Sequence, residues 1–144
     1  MCLSPCVRIL LVDDEPNNLQ AYRRILRRQF QIETAASARE ALEAVRQRGP
    51  YAVVVADARM PQMTGIDLLS EIRQLAPGTV RIIFTGNADQ QTVVDAFTRG
   101  QVFRYLNKPC SPRALAEALQ AGLAAYARQA AKSGSRSTKS ETSV

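Results

Sequence analysis

The chain has 144 residues, of which 46% are hydrophobic, and a formal net charge of +6 at pH 7. This length fits one domain with a hydrophobic core and is too short for two comfortable domains. The absence of histidine excludes Ser/His and Cys/His nucleophilic catalysis and removes the commonest zinc ligand. No run approaches the roughly 20 apolar residues of a membrane span, and the first residues do not resemble a signal peptide. The sequence therefore predicts a cytoplasmic protein without membrane insertion.

The three cysteines, Cys2, Cys6 and Cys110, are an odd number and lack the spacing of a metal site. We therefore predict reduced thiols. Cys110 is expected to be an ordinary free thiol rather than a redox sensor.

Apolar runs alternate with amphipathic segments five times along the chain. The predicted strands are residues 7–12, 31–35, 51–56, 81–85 and 104–107. Three of these runs are almost continuously apolar, which is typical of central parallel strands covered on both faces. The sequence therefore predicts a parallel sheet.

The intervening segments carry helix signals. A first helix is predicted over residues 16–28, with its aliphatic side, formed by Leu19, Tyr22, Ile25 and Leu26, packed inward. Ser37 begins a second helix that stops at residues 49–50, since Ser37 and Glu40 have the spacing of a capping box. A third and a fourth helix are predicted over residues 65–75 and 89–99.

A fifth helix begins after residues 111–112 and aligns Leu115, Leu119, Gly122 and Tyr126 along one side. The resulting (βα)₅ pattern with right-handed crossovers predicts an α/β three-layer sandwich. We place the domain at residues 1–131. Residues 132–144 are small and polar and are predicted to form a disordered tail or linker remnant.

Polar side chains follow the ends of four predicted strands. Asp13 and Asp14 follow the first, Asp57 the third, Thr85 ends the fourth, and Lys108 follows the fifth. Because the carboxyl ends of parallel strands meet at one edge of the sheet, we expect these groups to share a crevice. Singly, each has an ordinary interpretation, such as helix capping by an aspartate. Three clustered carboxylates repel unless a cation is bound, and this oxygen-rich site suits Mg²⁺ and a phosphoryl group.

Pro109 directly follows Lys108 in the sequence. An X-Pro bond can be cis at modest cost. We therefore hypothesise that a cis Lys108–Pro109 bond turns the ammonium into the crevice.

The segments LLVDDE, VVVADARMPQMTG, IIFTG and FRYLNKP resemble those of the receiver domain of bacterial two-component response regulators. The resemblance covers roughly residues 7–127, in order and at matching spacing. It implies a flavodoxin-like fold with a five-stranded parallel sheet in the order 2-1-3-4-5. It also implies a signalling domain rather than an enzyme acting on an external substrate.

The resemblance carries over to single residues. Asp57 matches the aspartate that accepts a phosphoryl group from the phosphohistidine of a sensor histidine kinase or a histidine phosphotransfer protein. Asp14 and Asp57 match direct Mg²⁺ ligands, Asp13 matches the holder of a metal-bound water, and the carbonyl of Arg59 matches a further ligand. The implied cofactor is Mg²⁺.

The remaining matches concern the phosphorylated state. Thr85 and Lys108 match the residues that contact the phosphoryl group, and Tyr105 matches an aromatic switch residue, although a strand aromatic can equally be core. Phosphorylation would change the face formed by the fourth helix and fifth strand, which a downstream effector protein or domain would bind. Arg59 and Asn87 flank the route of a hydrolytic water and are expected to tune the lifetime of the acyl phosphate.

Three other functions compete with this interpretation. A pseudo-receiver docking module would act without phosphorylation, but it usually lacks one of the site residues. An aspartyl phosphohydrolase needs a second acid two residues after its nucleophile, where this chain has Arg59. Direct DNA binding is suggested by arginines 23, 24, 27 and 28, but a solvated face or a kinase-docking surface is the preferred interpretation, since no separate pair of DNA-reading helices follows.

Overall fold

A computed structural model describes residues 7–86, 90–108 and 110–143, and for Gln90 and residues 130–143 it describes the backbone alone. The five strands are β1 (Arg8–Val12), β2 (Gln31–Ala35), β3 (Val53–Asp57), β4 (Val80–Thr85) and β5 (Arg104–Asn107). The helices are α1 (Pro16–Leu26), α2 (Ala38–Arg48), α3 (Gly65–Leu75), α4 (Gln90–Asp95), which continues as a π-helical segment (Ala96–Gly100), and α5 (Pro112–Ser143).

The strands form one parallel sheet in the order β2-β1-β3-β4-β5. This order and the alternation of strand and helix confirm the predicted flavodoxin-like (βα)₅ fold. β2 lies on one side of β1, whereas β3, β4 and β5 follow on its other side. The strand order therefore reverses between β1 and β3. In such sheets the crevice outside the carboxyl ends of the strands at this position is the usual binding site.

Helices cover both faces of the sheet and make two cores. Alternate residues of β1 face opposite ways: Leu10 and Val12 pack with α2 and α3, whereas Ile9 and Leu11 pack with α1 and α5. All four of these side chains are buried. This double burial explains why the central strands are almost continuously apolar in the sequence.

Helix starts follow the predicted chemistry closely. The Ser37 hydroxyl accepts a hydrogen bond from the Glu40 amide at 3.1 Å, as the capping box requires. The Glu40 carboxylate reaches back one residue further than in the usual box and accepts from the Ala36 amide at 2.9 Å.

On α5, Leu115, Leu119 and Gly122 are buried, as their alignment predicts.

The prediction that Ile25 belongs to the packed side of α1 is wrong. Its side chain is 47% exposed, whereas Leu19 and Leu26 are buried. Ile25 lies about 100° around the helix from Leu26, beyond the edge of the stripe that faces the sheet. The helix also ends at Leu26, two residues earlier than predicted.

Other boundaries differ from the sequence-based ones. Asp57 is the last residue of β3 rather than the residue after it, because it still pairs with Phe84 across the sheet. The fourth helix is predicted as one element over residues 89–99, but it is α-helical only to Asp95 and then π-helical to Gly100. Asp89 lies outside the described residues.

α5 runs to Ser143, so its backbone continues as helix through most of the segment for which the sequence predicts disorder. The domain boundary at residue 131 stays a prediction. Within the part of the chain that the structure describes, no helix combines the length and the apolar character needed to cross a membrane.

Candidate functional site

The parallel sheet brings the predicted polar residues to one edge. Asp13 directly follows β1, Asp57 ends β3, Thr85 ends β4, and Lys108 directly follows β5. The register pairs Val12 with Ala56, and it pairs Asp57 with Phe84, the residue before Thr85. The strands therefore end at nearly the same height, which places these groups along one rim.

The three aspartates form a close cluster. One carboxylate oxygen from each of Asp13, Asp14 and Asp57 lies within 4.8 Å of the others. Asp13 is buried, Asp57 is half-buried and Asp14 is exposed. The cluster thus opens to solvent on the side of Asp14 and is enclosed on the side of Asp13.

Lys108 connects two of these aspartates. Its Nζ lies 3.1 Å from Asp13 Oδ2 and 3.1 Å from Asp57 Oδ2. Its backbone amide donates to the Thr85 carbonyl at 2.8 Å, which fixes the chain beside β4, and its ammonium lies 5.3 Å from the centre of the Phe84 ring. Burial opposes the charge on Lys108, but the hydrogen bonds to the two carboxylates outweigh it and raise its pKa.

Asp13 is held from both sides. Its Oδ1 accepts from the Glu15 amide at 2.9 Å, and its Oδ2 accepts from Asn18 Nδ2 at 3.3 Å in addition to Lys108. Asn18, from the first turn of α1, is a contact that sequence reasoning missed. No motif spacing marks it, because the contact depends on how α1 begins above the end of β1.

Asp57 is partly withdrawn from solvent. Its Oδ1 accepts from the Arg59 amide at 3.2 Å, while the Arg59 side chain is exposed. Burial raises the pKa of Asp57, the hydrogen bonds from Arg59 and Lys108 oppose this rise, and the nearby charge of Asp13 adds to it. The net shift is upward, so this carboxylate is more basic than an ordinary aspartate.

Gly65 explains how α3 can begin against Asp57. A Cβ at this position would overlap the backbone carbonyl oxygen of Asp57, and the Gly65 amide donates to the Ala58 carbonyl at 3.0 Å. A residue with a side chain would therefore push α3 away from the end of β3. Gly65 is part of the segment that carries the resemblance, but only the backbone geometry gives the reason for it.

The two residues expected to respond to phosphorylation occupy different environments. Thr85 is fully buried at the end of β4. Tyr105 is half-buried on β5, and its hydroxyl donates to Asn107 Oδ1 at 2.7 Å.

Asn87 and Pro109 lie outside the described residues, so the predictions for the hydrolytic route at Asn87 and for the Lys108–Pro109 bond stay predictions.

The donor set fits a hard divalent cation. Lys108 offsets one of the three carboxylate charges, which leaves two negative charges close together. Carboxylate oxygens are ligands that Mg²⁺ prefers, and the open side at Asp14 leaves room for water or phosphate oxygens. The arrangement can therefore hold a cation beside a basic carboxylate and a lysine ammonium, which are the groups that phosphoryl transfer needs.

Comparison with known proteins decides the family. The model of the "Response regulator receiver domain" family matches residues 9–120. The chain belongs to this family. Receiver domains are signalling domains that accept a phosphoryl group, and the expectation from the sequence segments is thereby confirmed.

Relatives of this receiver domain include two transcriptional regulatory proteins. The hydrogenase transcriptional regulatory protein HoxA of Cupriavidus necator is 34% identical over 121 residues, which are 84% of this chain and 25% of that protein. The alginate biosynthesis transcriptional regulatory protein AlgB of Pseudomonas aeruginosa is 41% identical over 106 residues, 73% of this chain and 23% of that protein. The chain thus spans about a quarter of the length of these relatives.

The fold has solved counterparts. A CheY-like response regulator receiver domain protein from Methanospirillum hungatei is 31% identical to this chain, with a TM-score of 0.80. The match covers 85% of this receiver domain and 98% of the other chain. The described architecture therefore matches almost the whole of that receiver domain.

Proposed function

We propose that this receiver domain accepts a phosphoryl group on Asp57 from a histidine-phosphorylated donor and thereby switches a binding face. The observation that carries the proposal is the position of Lys108 Nζ, which is 3.1 Å from both Asp13 and Asp57. A single ammonium thus bridges Asp13 and Asp57, the carboxylate that would be phosphorylated. The donor would be a sensor histidine kinase or a histidine phosphotransfer protein.

In the proposed step an oxygen of Asp57 attacks the phosphorus of a phosphohistidine. The new bond joins the carboxylate oxygen to phosphorus, the phosphorus–nitrogen bond breaks, and the imidazole leaves with that electron pair. The carboxylate of Asp57 is half-buried at the end of β3, which positions it for this attack. Lys108, already within hydrogen-bond distance of Asp57, would then hold an oxygen of the transferred group.

The acid cluster would hold Mg²⁺. Asp14 and Asp57 would be direct ligands together with the carbonyl of Arg59, and Asp13 would hold a metal-bound water. When bound, the cation neutralises charge on the transferring phosphoryl group. The chain's contribution is to fix these ligands, and the Glu15 amide and Asn18 side chain do this for Asp13.

The switch would begin at Thr85. Phosphorylation adds negative charge and acceptor oxygens at the end of β3, and the Thr85 hydroxyl at the end of β4 would turn toward them. Tyr105, half-buried on β5, would then move into the vacated space. This movement would change the face formed by α4 and β5, which a downstream effector protein or domain would bind.

The test is the intact mass of the protein after incubation with Mg²⁺ and acetyl phosphate, and separately with a phosphorylated histidine kinase. We expect the wild type to gain one phosphoryl group that is lost on hydroxylamine treatment, as an acyl phosphate should be. Asp57→Asn should gain none. Glu43→Gln, which alters an exposed carboxylate on α2, is the matched control and should behave like the wild type.

Two outcomes would count against the proposal. A gain that persists in Asp57→Asn would place the phosphoryl group elsewhere. No gain from either donor, when calorimetry shows that Mg²⁺ binds, would favour a phosphorylation-independent docking module instead.

We propose no DNA-binding role for this domain. The relatives named above are transcriptional regulatory proteins about four times as long as the matched segment. We infer that any DNA-binding function in a longer protein of this type would belong to its other parts. A gel shift with this chain, repeated at rising salt, should show at most weak, sequence-independent retention.

A further inference from the structure

An aromatic ring lies against the ammonium of Lys108. The Nζ atom lies over the face of the Phe84 ring, 5.3 Å from its centre. At this distance the electron-rich face of an aromatic ring attracts a cation. Phe84 is 4% exposed and the Lys108 side chain 21% exposed, so solvent screens the attraction only in part. The ring is therefore a third partner of the ammonium, besides Asp13 and Asp57.

Tyr22 of α1 packs against this ring in turn. The centres of the Tyr22 and Phe84 rings are 5.5 Å apart and their planes are tilted by 34°, which is within the range of favourable aromatic pairs. Tyr22 is half-buried and packs against the same core as Phe84. Burial raises the pKa of its hydroxyl, while the charge of Lys108 acts in the opposite direction, so the phenol lies within electrostatic range of the ammonium. A chain of contacts therefore leads from α1 through Phe84 to Lys108.

Packing of this core does not require an aromatic contact with a charge. Phe30 is buried in the same core and Tyr126 packs against it, yet within the part of the chain that the structure describes no lysine or arginine lies over either ring. Phe84 differs from them because it pairs with Asp57 across the sheet, which places its ring beside the site.

The ammonium needs a partner that stays the same during phosphoryl transfer. In the structure its hydrogen-bond acceptors are Asp13 and Asp57. Under the proposed function both carboxylates help to hold a cation, whose charge weakens their attraction for a second positive charge, and Asp57 becomes an acyl phosphate. The Phe84 ring has no charge and no proton to lose, so its attraction for the ammonium persists through these changes.

We propose that Phe84 and Tyr22 are positioning residues for Lys108. The Phe84 ring keeps the ammonium at the end of β3 while its hydrogen bond passes from Asp57 to an oxygen of the transferred phosphoryl group, and Tyr22 fixes the plane of that ring. The consequence for phosphorylation rests on the proposed function. The ring contact itself does not, and it can be measured on the unphosphorylated protein.

Nuclear magnetic resonance of the full chain with ¹³C-labelled lysine measures the contact. The chain has three lysines, and Lys108→Arg identifies the signal of Lys108. Protons over the face of a ring are shielded, so we expect the Lys108 Hε signals upfield of those of the other lysines, both without and with Mg²⁺. Phe84→Leu should remove most of this shift and Tyr22→Leu should reduce it, whereas Tyr22→Phe, which keeps the ring, should retain it.

Matched controls alter the same core elsewhere. Phe30→Leu and Tyr126→Leu remove the same types of ring from this core and should leave the Lys108 shift at its wild-type value. Circular dichroism checks that each variant is folded. Tyr22 is only half-buried, so Tyr22→Leu keeps the test decisive if Phe84→Leu does not fold.

The effect on phosphorylation is measured as the rate of phosphoryl gain from acetyl phosphate with Mg²⁺, followed by intact mass. Phe84→Leu should lower this rate about threefold or more, and Phe30→Leu should not. In a Lys108→Met background, Phe84→Leu should cause little further loss, since a residue that acts through Lys108 has nothing to position once the ammonium is gone. A purely structural role would give the same fold loss in both backgrounds.

Three outcomes would overturn the proposal: a Lys108 signal that is unshifted or keeps its shift in Phe84→Leu, a shift that disappears when Mg²⁺ is added, or a loss of rate by Phe84→Leu that is equal with and without the Lys108 ammonium. Failure of the proposed function is a distinct result: the wild type would gain no phosphoryl group, while the Lys108 shift and its loss in Phe84→Leu would still support the ring contact.

Discussion

The Lys108 ammonium lies between two carboxylates, at 3.1 Å from Asp13 and 3.1 Å from Asp57. The two carboxylates raise the pKa of this ammonium against the effect of burial. The same ammonium would have to turn toward a phosphoryl oxygen after transfer. The short distance to Asp57 makes this a local side-chain movement rather than a rearrangement of the sheet.

The fold also requires that residue 65 has no side chain. Gly65→Ala would place a Cβ on the Asp57 carbonyl oxygen, so α3 or the end of β3 must shift. We expect a loss of roughly 2 kcal/mol or more in the free energy of unfolding, as in other overpacked sites. Urea denaturation followed by circular dichroism measures it.

Gly78→Ala is the control for this substitution. Nothing lies within 4 Å of a Cβ at Gly78, so the change should leave stability the same or raise it by up to about 1 kcal/mol. Similar losses in the two variants would show that backbone freedom, and not the contact with Asp57, makes Gly65 necessary.

Among the elements, α1 shows how a helix can be predicted correctly while one of its faces is not. Leu26 is 2% exposed and Ile25 47% exposed, although both are apolar neighbours in the sequence. We expect Leu26→Ala to cost about 2–5 kcal/mol of unfolding free energy, because it leaves a cavity against the sheet. Ile25→Ala should cost less than about 1 kcal/mol. Chemical denaturation of both variants compares them directly, and equal costs would contradict the described orientation of α1.

The segment after α4 also differs from the structure that the sequence predicts. The sequence predicts one regular helix there, but the last turn is π-helical to Gly100 and is followed by Gln101, whose φ is +48°. Arg81 donates to the carbonyls of Gly100 and Gln101 at 3.0 and 3.1 Å, and Arg99 pairs with Asp67 of α3. These contacts come from β4 and α3, so no local pattern within the helix could indicate its end.

At the scale of the whole molecule, a network of polar side chains links Arg8, Glu33 and Tyr51 at the end of the sheet opposite the candidate site. Glu33 of β2 accepts from Arg8 of β1 at 2.8 Å and from the Tyr51 hydroxyl at 2.6 Å, and the Arg8 guanidinium lies 4.6 Å from the Tyr51 ring centre. Burial opposes ionisation of Glu33, but the hydrogen bonds from Tyr51 and Arg8 outweigh it and lower its pKa below the ordinary value of 4.5.

This shift predicts a pH dependence of global stability. A carboxylate whose pKa is lower in the folded state stabilises the fold fully above its unfolded-state pKa, and the contribution is lost as the pH falls through the folded-state pKa. Wild type should therefore lose more stability than Glu33→Gln between neutral pH and pH values below 4.5. Urea denaturation across this range measures the difference, and parallel curves for the two proteins would contradict the role of Glu33.

The sequence by itself determined the order of strands and helices, the parallel sheet and the acid, hydroxyl and ammonium groups at the strand ends. These follow from local signals: apolar runs for buried strands, Ser37 with Glu40 for a helix start, and polar residues where each run stops. The resemblance of four segments added the family and the strand order.

Only the tertiary structure decided which neighbours these groups have. The contact of Asn18 with Asp13 and the need for glycine at residue 65 depend on how a strand meets the helix that follows it. The exposure of Ile25 and the end of the fourth helix depend on elements far apart in the chain. Local patterns set the type of each element, because they act within a few residues. Distances between side chains are set by how the helices lie on the sheet, and that is fixed by packing over the whole molecule.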